Sequence, residues 1–168
     1  IVIDGLQFAG GKADKVLIDI MVSNHITITN CYFSSHVPDH AIRVRDSACN
    51  NIAIKNNEFQ DAGHLDAIRI DATSSSIIMN NITVDNNIIN IAGNGIFVFL
   101  DAALVETGVY PENIIISNNT ISNTTHAAIL CSSGKNFIIS GNVLSEIGTM
   151  STPNINAIQL NNLHDSIR

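Results

Sequence analysis

Three of the four arginines in this chain, Arg43, Arg45 and Arg69, fall in one short stretch, with only Arg168 elsewhere. The same stretch holds His36, Asp39, His40, Asp61, His64, Asp66 and Asp71. These residue types suit a definite chemistry. A guanidinium fork pairs a carboxylate bidentately. A carboxylate neutralised that way has a more acidic proton on the neighbouring carbon, which a histidine or arginine base can remove. Asp66 near His40 or His64 could orient such a base or raise its pKa. The candidate catalytic residues are therefore Arg43, Arg69, His40, His64 and Asp66, with Arg45 and Asp71 as candidate substrate-binding residues. The same charges also read as a surface ion-pair ladder, in which each pair contributes little.

For these side chains to meet, the elements carrying them must lie side by side, and a degenerate repeat supplies such elements. Five segments align: His25-Ile26-Thr27-Ile28-Thr29-Asn30-Cys31-Tyr32-Phe33, then the stretches 51–59, 81–89, 113–121 and 136–144. Each reads as an apolar-x-apolar strand, an Asn-rich turn and a further buried apolar residue. A variable loop follows, then a second strand: Ala41-Ile42-Arg43-Val44, Ala67-Ile68-Arg69-Ile70, Gly95-Ile96-Phe97-Val98, Ala128-Ile129-Leu130-Cys131 and Ala157-Ile158-Gln159-Leu160. The first buried residue moves from 26 to 52, 82, 114 and 137, in steps of 26, 30, 32 and 23 residues. A period in that range means a solenoid, and two period-2 strands per period mean β coils. One coil cannot bury its own apolar face, so coils stack.

Asn30, Asn56, Asn86 and Asn118 recur at one turn position. They predict a hydrogen-bonded ladder in the left-handed backbone conformation that asparagine tolerates. The expected fold is all-β, a right-handed parallel β-helix of about five to six coils in a single domain over residues 1–168. Residues 1–22 read as a partial or irregular first coil, 23–165 as five repeat coils and 166–168 as the start of a further coil. The chain opens directly on strand and turn, with no signal peptide, and closes on what reads as another coil, so an excerpt of a longer solenoid is expected.

Composition narrows the function classes. The 168 residues are 45% hydrophobic and 14% charged, which excludes a disordered segment. The 22 asparagines match many short strands joined by tight turns. A net charge of −7 argues against nucleic-acid binding, which needs a basic face. Cys31, Cys49 and Cys131 form no CxxC and read as small core or turn residues. The apolar runs are of strand length, so no membrane span is expected.

On these repeats the sequence resembles the right-handed parallel β-helix of the pectate-lyase-like superfamily, over roughly residues 20–168. That superfamily includes polysaccharide lyases, glycoside hydrolases, uronan epimerases, fructan-cleaving enzymes and phage tailspikes, so the resemblance specifies fold better than function. It implies a groove along one strand face that binds a sugar chain. Coil spacing of about 4.8 Å, close to one sugar unit, supports the same idea. With the arginine patch, the expectation becomes a carbohydrate-active protein with an acidic-sugar groove on the second-strand face, acting as lyase, epimerase or hydrolase. No family catalytic motif can be carried over: the polygalacturonase Asn-Thr-Asp and Gly-His-Gly patterns are absent.

The alternative is a non-catalytic solenoid, such as a tailspike, adhesin or structural surface protein. The unequal loops 36–40, 60–66, 101–112 and 145–156 border the candidate row and favour a site. A regular threonine array for ice binding does not continue past Thr27, Thr29 and Thr83. Phe97 and Phe99 are read as outward, either a stacking platform for a sugar ring (substrate-binding) or rings covered by the segment 101–112. Calcium is a candidate cofactor, since hard oxygen ligands suit it, with Asp39, Asp61, Asp66 and Asp71 as ligands. There is no EF-hand spacing, and no metal site is assigned. His126 reads as an ordinary surface residue, and the row Lys55, Asp85, Ser117 as a solvated face. The resemblance also implies an extracellular or cell-surface location and a homotrimer as one assembly.

Overall fold

The computed structural model describes residues 1–10, 16–34, 39–45, 48–61, 65–72, 79–100, 110–148 and 156–167. His36 and His64 lie outside them, as do residues 101–109. The described strands fall into three parallel sheets. The first holds β1 (Val2–Asp4), β4 (Asn24–Thr29), β7 (Asn50–Lys55), β10 (Asn80–Asp85), β13 (Glu112–Ser117), β16 (Gly134–Ser140) and β19 (Leu163–Ile167). The second holds β2 (Gln7–Ala9), β5 (Tyr32–Ser34), β8 (Glu58–Gln60), β11 (Ile88–Ala92), β14 (Thr120–Thr124) and β17 (Val143–Ser145). The third holds β3 (Val16–Met21), β6 (His40–Arg45), β9 (Asp66–Ala72), β12 (Asn94–Leu100), β15 (Ile129–Cys131) and β18 (Ile158–Leu160). Each strand pairs with its counterpart one coil away, so the chain is a parallel β-helix.

The repeat expected two strands per coil, and the structure has three. The further buried apolar residue after the Asn turn is the centre of a short strand of its own, as in β5, β8 and β17 of three residues each. Three residues are too few to display an alternation, which is why the pattern read as a turn. Residues 1–22, expected as a partial or irregular first coil, carry β1, β2 and β3 in register with β4, β5 and β6.

Stacking puts like residues on like. Ile26, Ile52, Ile82, Ile114 and Phe137 form one buried column along the first sheet. In the second sheet Phe8, Phe33 and Phe59 stack nearly parallel, at centroid spacings of 4.8 and 4.7 Å. Fully burying each such side chain stabilises the fold by about 1.5–3 kcal/mol. That gain offsets the entropy of ordering the coils.

The corners are asparagine chemistry. Asn30, Asn56, Asn86 and Asn118 all have φ between 52 and 56°, and Gly141 takes the same place with φ 65°. A Cβ at Gly141 would stand 2.5 Å from Asn118 Oδ1, so glycine there answers both the backbone and the crowding. A second left-handed column, His25, Asn51, Asn81, Asn113 and Asn136, bends the chain at the second residue of four first-sheet strands and, for Asn136, at the third of β16.

The continuous ladder, however, is one residue further on than expected. Asn57, Asn87, Asn119 and Asn142 point inward, and the first three are buried. The Oδ1 of Asn87 accepts from both the backbone N–H and the Nδ2 of Asn57, each at 3.0 Å. Asn87 repeats this on Asn119, and Asn119 on Asn142. The second Nδ2 proton of each goes to a backbone carbonyl, of Ile28, Ile54, Val84 or Ile116. In the exposed column, Asn86 bonds Asn56, but Asn118 and Asn30 turn to Asp85 and Asp4. Burial forces the inner amides to satisfy one another, whereas water competes for the outer ones.

Candidate functional site

The third sheet carries the arginines. Its register aligns Asp19, Arg43, Arg69, Phe97, Leu130 and Gln159 in one outward row. The next outward row is Met21, Arg45, Asp71 and Phe99, and the residues entering the strands align His40, Asp66 and Asn94. The sequence-derived rows are thus brought together, except that His64 lies outside the described residues.

Two stacked arginines one strand apart would repel, and Asp71 sits between them. Its Oδ2 accepts from Arg43 Nε at 2.6 Å and its Oδ1 from Arg69 Nε at 2.5 Å. Arg69 Nη1 donates to Asp66 Oδ2 at 3.1 Å, and Asn94 Nδ2 donates to Asp66 Oδ1 at 2.7 Å. His40 Nδ1 lies 3.2 Å from Asp66 Oδ2. The alignment is too poor for a hydrogen bond, so this buried nitrogen has no hydrogen-bond partner among the described residues. Arg45 grips Asp19 through Nε and Nη2 at 2.8–3.0 Å.

The charged face is not fully open to solvent. Asp66 and Asp71 side chains are 1% exposed, beneath arginines that are 20–28% exposed. The guanidinium groups lie over the carboxylates, which hides Asp71 even though it points outward from its strand. His40 is buried as well. Phe97 and Phe99 are half-buried and pack edge to face with centroids 5.7 Å apart. Arg69 covers them, its guanidinium carbon 4.8 Å from the Phe97 centroid and 5.4 Å from that of Phe99.

Beside this network opens a cleft of about 420 Å³. Asp66, Arg69, Asn94 and Phe97 form one end, Leu130, Asn156 and Gln159 continue the wall, and Leu65, His126 and Ala127 complete it. Ala127 stands where earlier coils place Asp66 and Asn94, and the smaller side chain leaves room. His126, read from sequence as ordinary surface, is exposed on this wall with Nδ1 3.3 Å from Thr125 Oγ1. Its one sequence signal was position: it directly precedes the residue at the Asp66 phase. It lies in the turn between β14 and β15, where no strand alternation fixes which way a side chain faces.

Among the described residues no three His, Cys, Asp or Glu side chains converge as a metal ion requires. Asp66 and Asp71 face arginines rather than each other. No described helix is long and apolar enough to cross a membrane. The three cysteines are buried and unbridged, and burial pushes the Cys131 thiol up to about 12.

A family model described as the right-handed beta helix region matches residues 2–163. No curated protein and no solved structure matches the chain.

Proposed function

The chain belongs to the right-handed β-helix family, and from that premise we propose that it is a carbohydrate-binding solenoid whose third-sheet cleft holds a stretch of sugar chain. The cleft itself carries this reading: about 420 Å³, running along successive coils, with a half-buried aromatic ring among amides. Its volume is that of a small-ligand site. Phe97, with one face under Arg69, offers its remaining apolar surface to a sugar ring, while Asn94, Asn156 and Gln159 can each donate to and accept from hydroxyls. The row from Arg69 to Gln159 crosses four strands at about 4.8 Å spacing, so neighbouring sugar units meet equivalent wall positions. A location outside the cell or on its surface, as for an adhesin or tailspike, suits such a ligand and forms part of the proposal.

Binding is favoured over turnover by the state of the one carboxylate in the wall. Asp66 is buried, ion-paired to Arg69 and hydrogen-bonded to Asn94. Both of its oxygens are thus engaged within the protein, which leaves it poorly placed to serve a glycosidic oxygen. His126 supports a second reading, a lyase or hydrolase at the same cleft, because its imidazole is exposed on the wall.

Calorimetric titration with a panel of oligosaccharides tests the proposal. Binding is expected for wild type, and Phe97→Ala should weaken it about tenfold or more with the fold intact by circular dichroism. A folded wild type that binds no member of the panel ends the carbohydrate reading. New unsaturated or reducing ends that disappear in His126→Ala would replace binding with catalysis.

A further inference from the structure

Resting on the carbohydrate reading, we infer that the cleft selects uncharged sugar chains and rejects uronates, despite the arginines at its end. Bidentate recognition of a carboxylate needs two adjacent N–H groups on one edge of the guanidinium. In Arg69, Nε is held by Asp71 and Nη1 by Asp66. The side-on edge is therefore taken, and the charge of the guanidinium is already shared by two buried carboxylates. Arg43 uses only Nε on Asp71, but it lies outside the cleft wall.

The charges also cancel. Arg43, Arg45 and Arg69 are matched by Asp19, Asp66 and Asp71. The rest of the wall offers amides, a phenyl ring, leucines and one imidazole. An anionic chain would meet no uncompensated cation in this wall, and it would approach a protein of net charge −7. An uncharged chain meets no such repulsion and finds hydroxyl partners in Asn94, Asn156 and Gln159.

The test compares neutral hexose oligosaccharides with oligouronates of equal length, titrated into the wild-type chain at low and high salt. Neutral ligands should bind at least about tenfold more tightly, with affinity insensitive to salt. Asp71→Asn frees an arginine Nε and leaves the patch with one unmatched cation. Oligouronate affinity should then rise about tenfold, while neutral ligands change little. If wild type binds oligouronates as tightly as neutral chains, or more tightly, selection against charge is wrong and the carbohydrate reading survives. If a folded wild type binds neither class, both fall. Since the wild-type comparison decides alone, misfolding of the variant does not protect the inference.

Discussion

At the scale of single residues, the position of Asp71 governs what the arginines can do. It is fully buried and answers two guanidinium groups at once. Removing one member of such a network leaves uncompensated charge. Asp71→Ala should therefore cost about 3–5 kcal/mol in chemical denaturation. Arg45→Ala, at a surface pair, should cost about 1 kcal/mol or less. Equal losses for the two would show that Asp71 is not the hub. Arg69 has a double allegiance of its own, since it also covers Phe97 and Phe99. Arg69→Lys keeps the charge but loses the planar fork, and should loosen both rings, read as increased near-ultraviolet signal averaging.

At the scale of elements, the two asparagine columns look alike in sequence and differ in consequence. Asn87→Ala would strip partners from the buried backbone N–H and one side-chain proton of Asn57. Each orphaned group costs about 1–3 kcal/mol. Asn86→Gly, one residue earlier, keeps the left-handed backbone and loses only an exposed side-chain bond, so it should be close to neutral. Thermal melts of the two variants separate the columns: similar shifts would contradict the inner ladder. Strand packing allows one further check. A Cβ on Gly95 would lie 2.6 Å from the Ala128 carbonyl oxygen and 2.7 Å from Ile121 Cγ2. Because one neighbour is backbone of the next coil, Gly95→Ala should destabilise by about 1–3 kcal/mol.

At the scale of the whole molecule, each coil touches mainly the coils beside it, so stability accumulates through nearest-neighbour interfaces. Hydrogen exchange should accordingly be slow throughout β7 to β13, whose strands are paired on both sides. Cys131 ties pH to the same core. Its thiol titrates near 12 when folded, against an ordinary 9.0, because burial disfavours the thiolate. The unfolded chain thus loses this proton first as pH rises. The stabilising contribution is whole below pH 9.0 and declines between 9.0 and about 12. Cys131→Ala should flatten the alkaline fall in melting temperature relative to wild type, and its folded parent should resist thiol reagents at neutral pH. An unchanged alkaline slope would remove Cys131 from that account.

The repeat was legible in sequence because core residues recur at fixed phases: Ile26, Ile52, Ile82 and Ile114 had to stack, and their spacing requires a solenoid. The alternation in Ala41–Val44 and Ala67–Ile70 likewise places Arg43 beside Arg69 from sequence alone, as the strand register has it. Alternation says which side of a sheet a residue faces and which residues share a row. It does not say which side chain lies over another. That Asp66 and Asp71 sit beneath the arginines, that the inner asparagine rather than the outer one carries the ladder, and that His126 reaches the cleft wall are decisions of three-dimensional packing. Side-chain reach between coils and the paths of unequal loops set those contacts, and neither leaves a period in the chain. Repeat spacing specifies the coil and the row, whereas which charges in that row are already paired with each other depends on distances between coils that no spacing along the chain encodes.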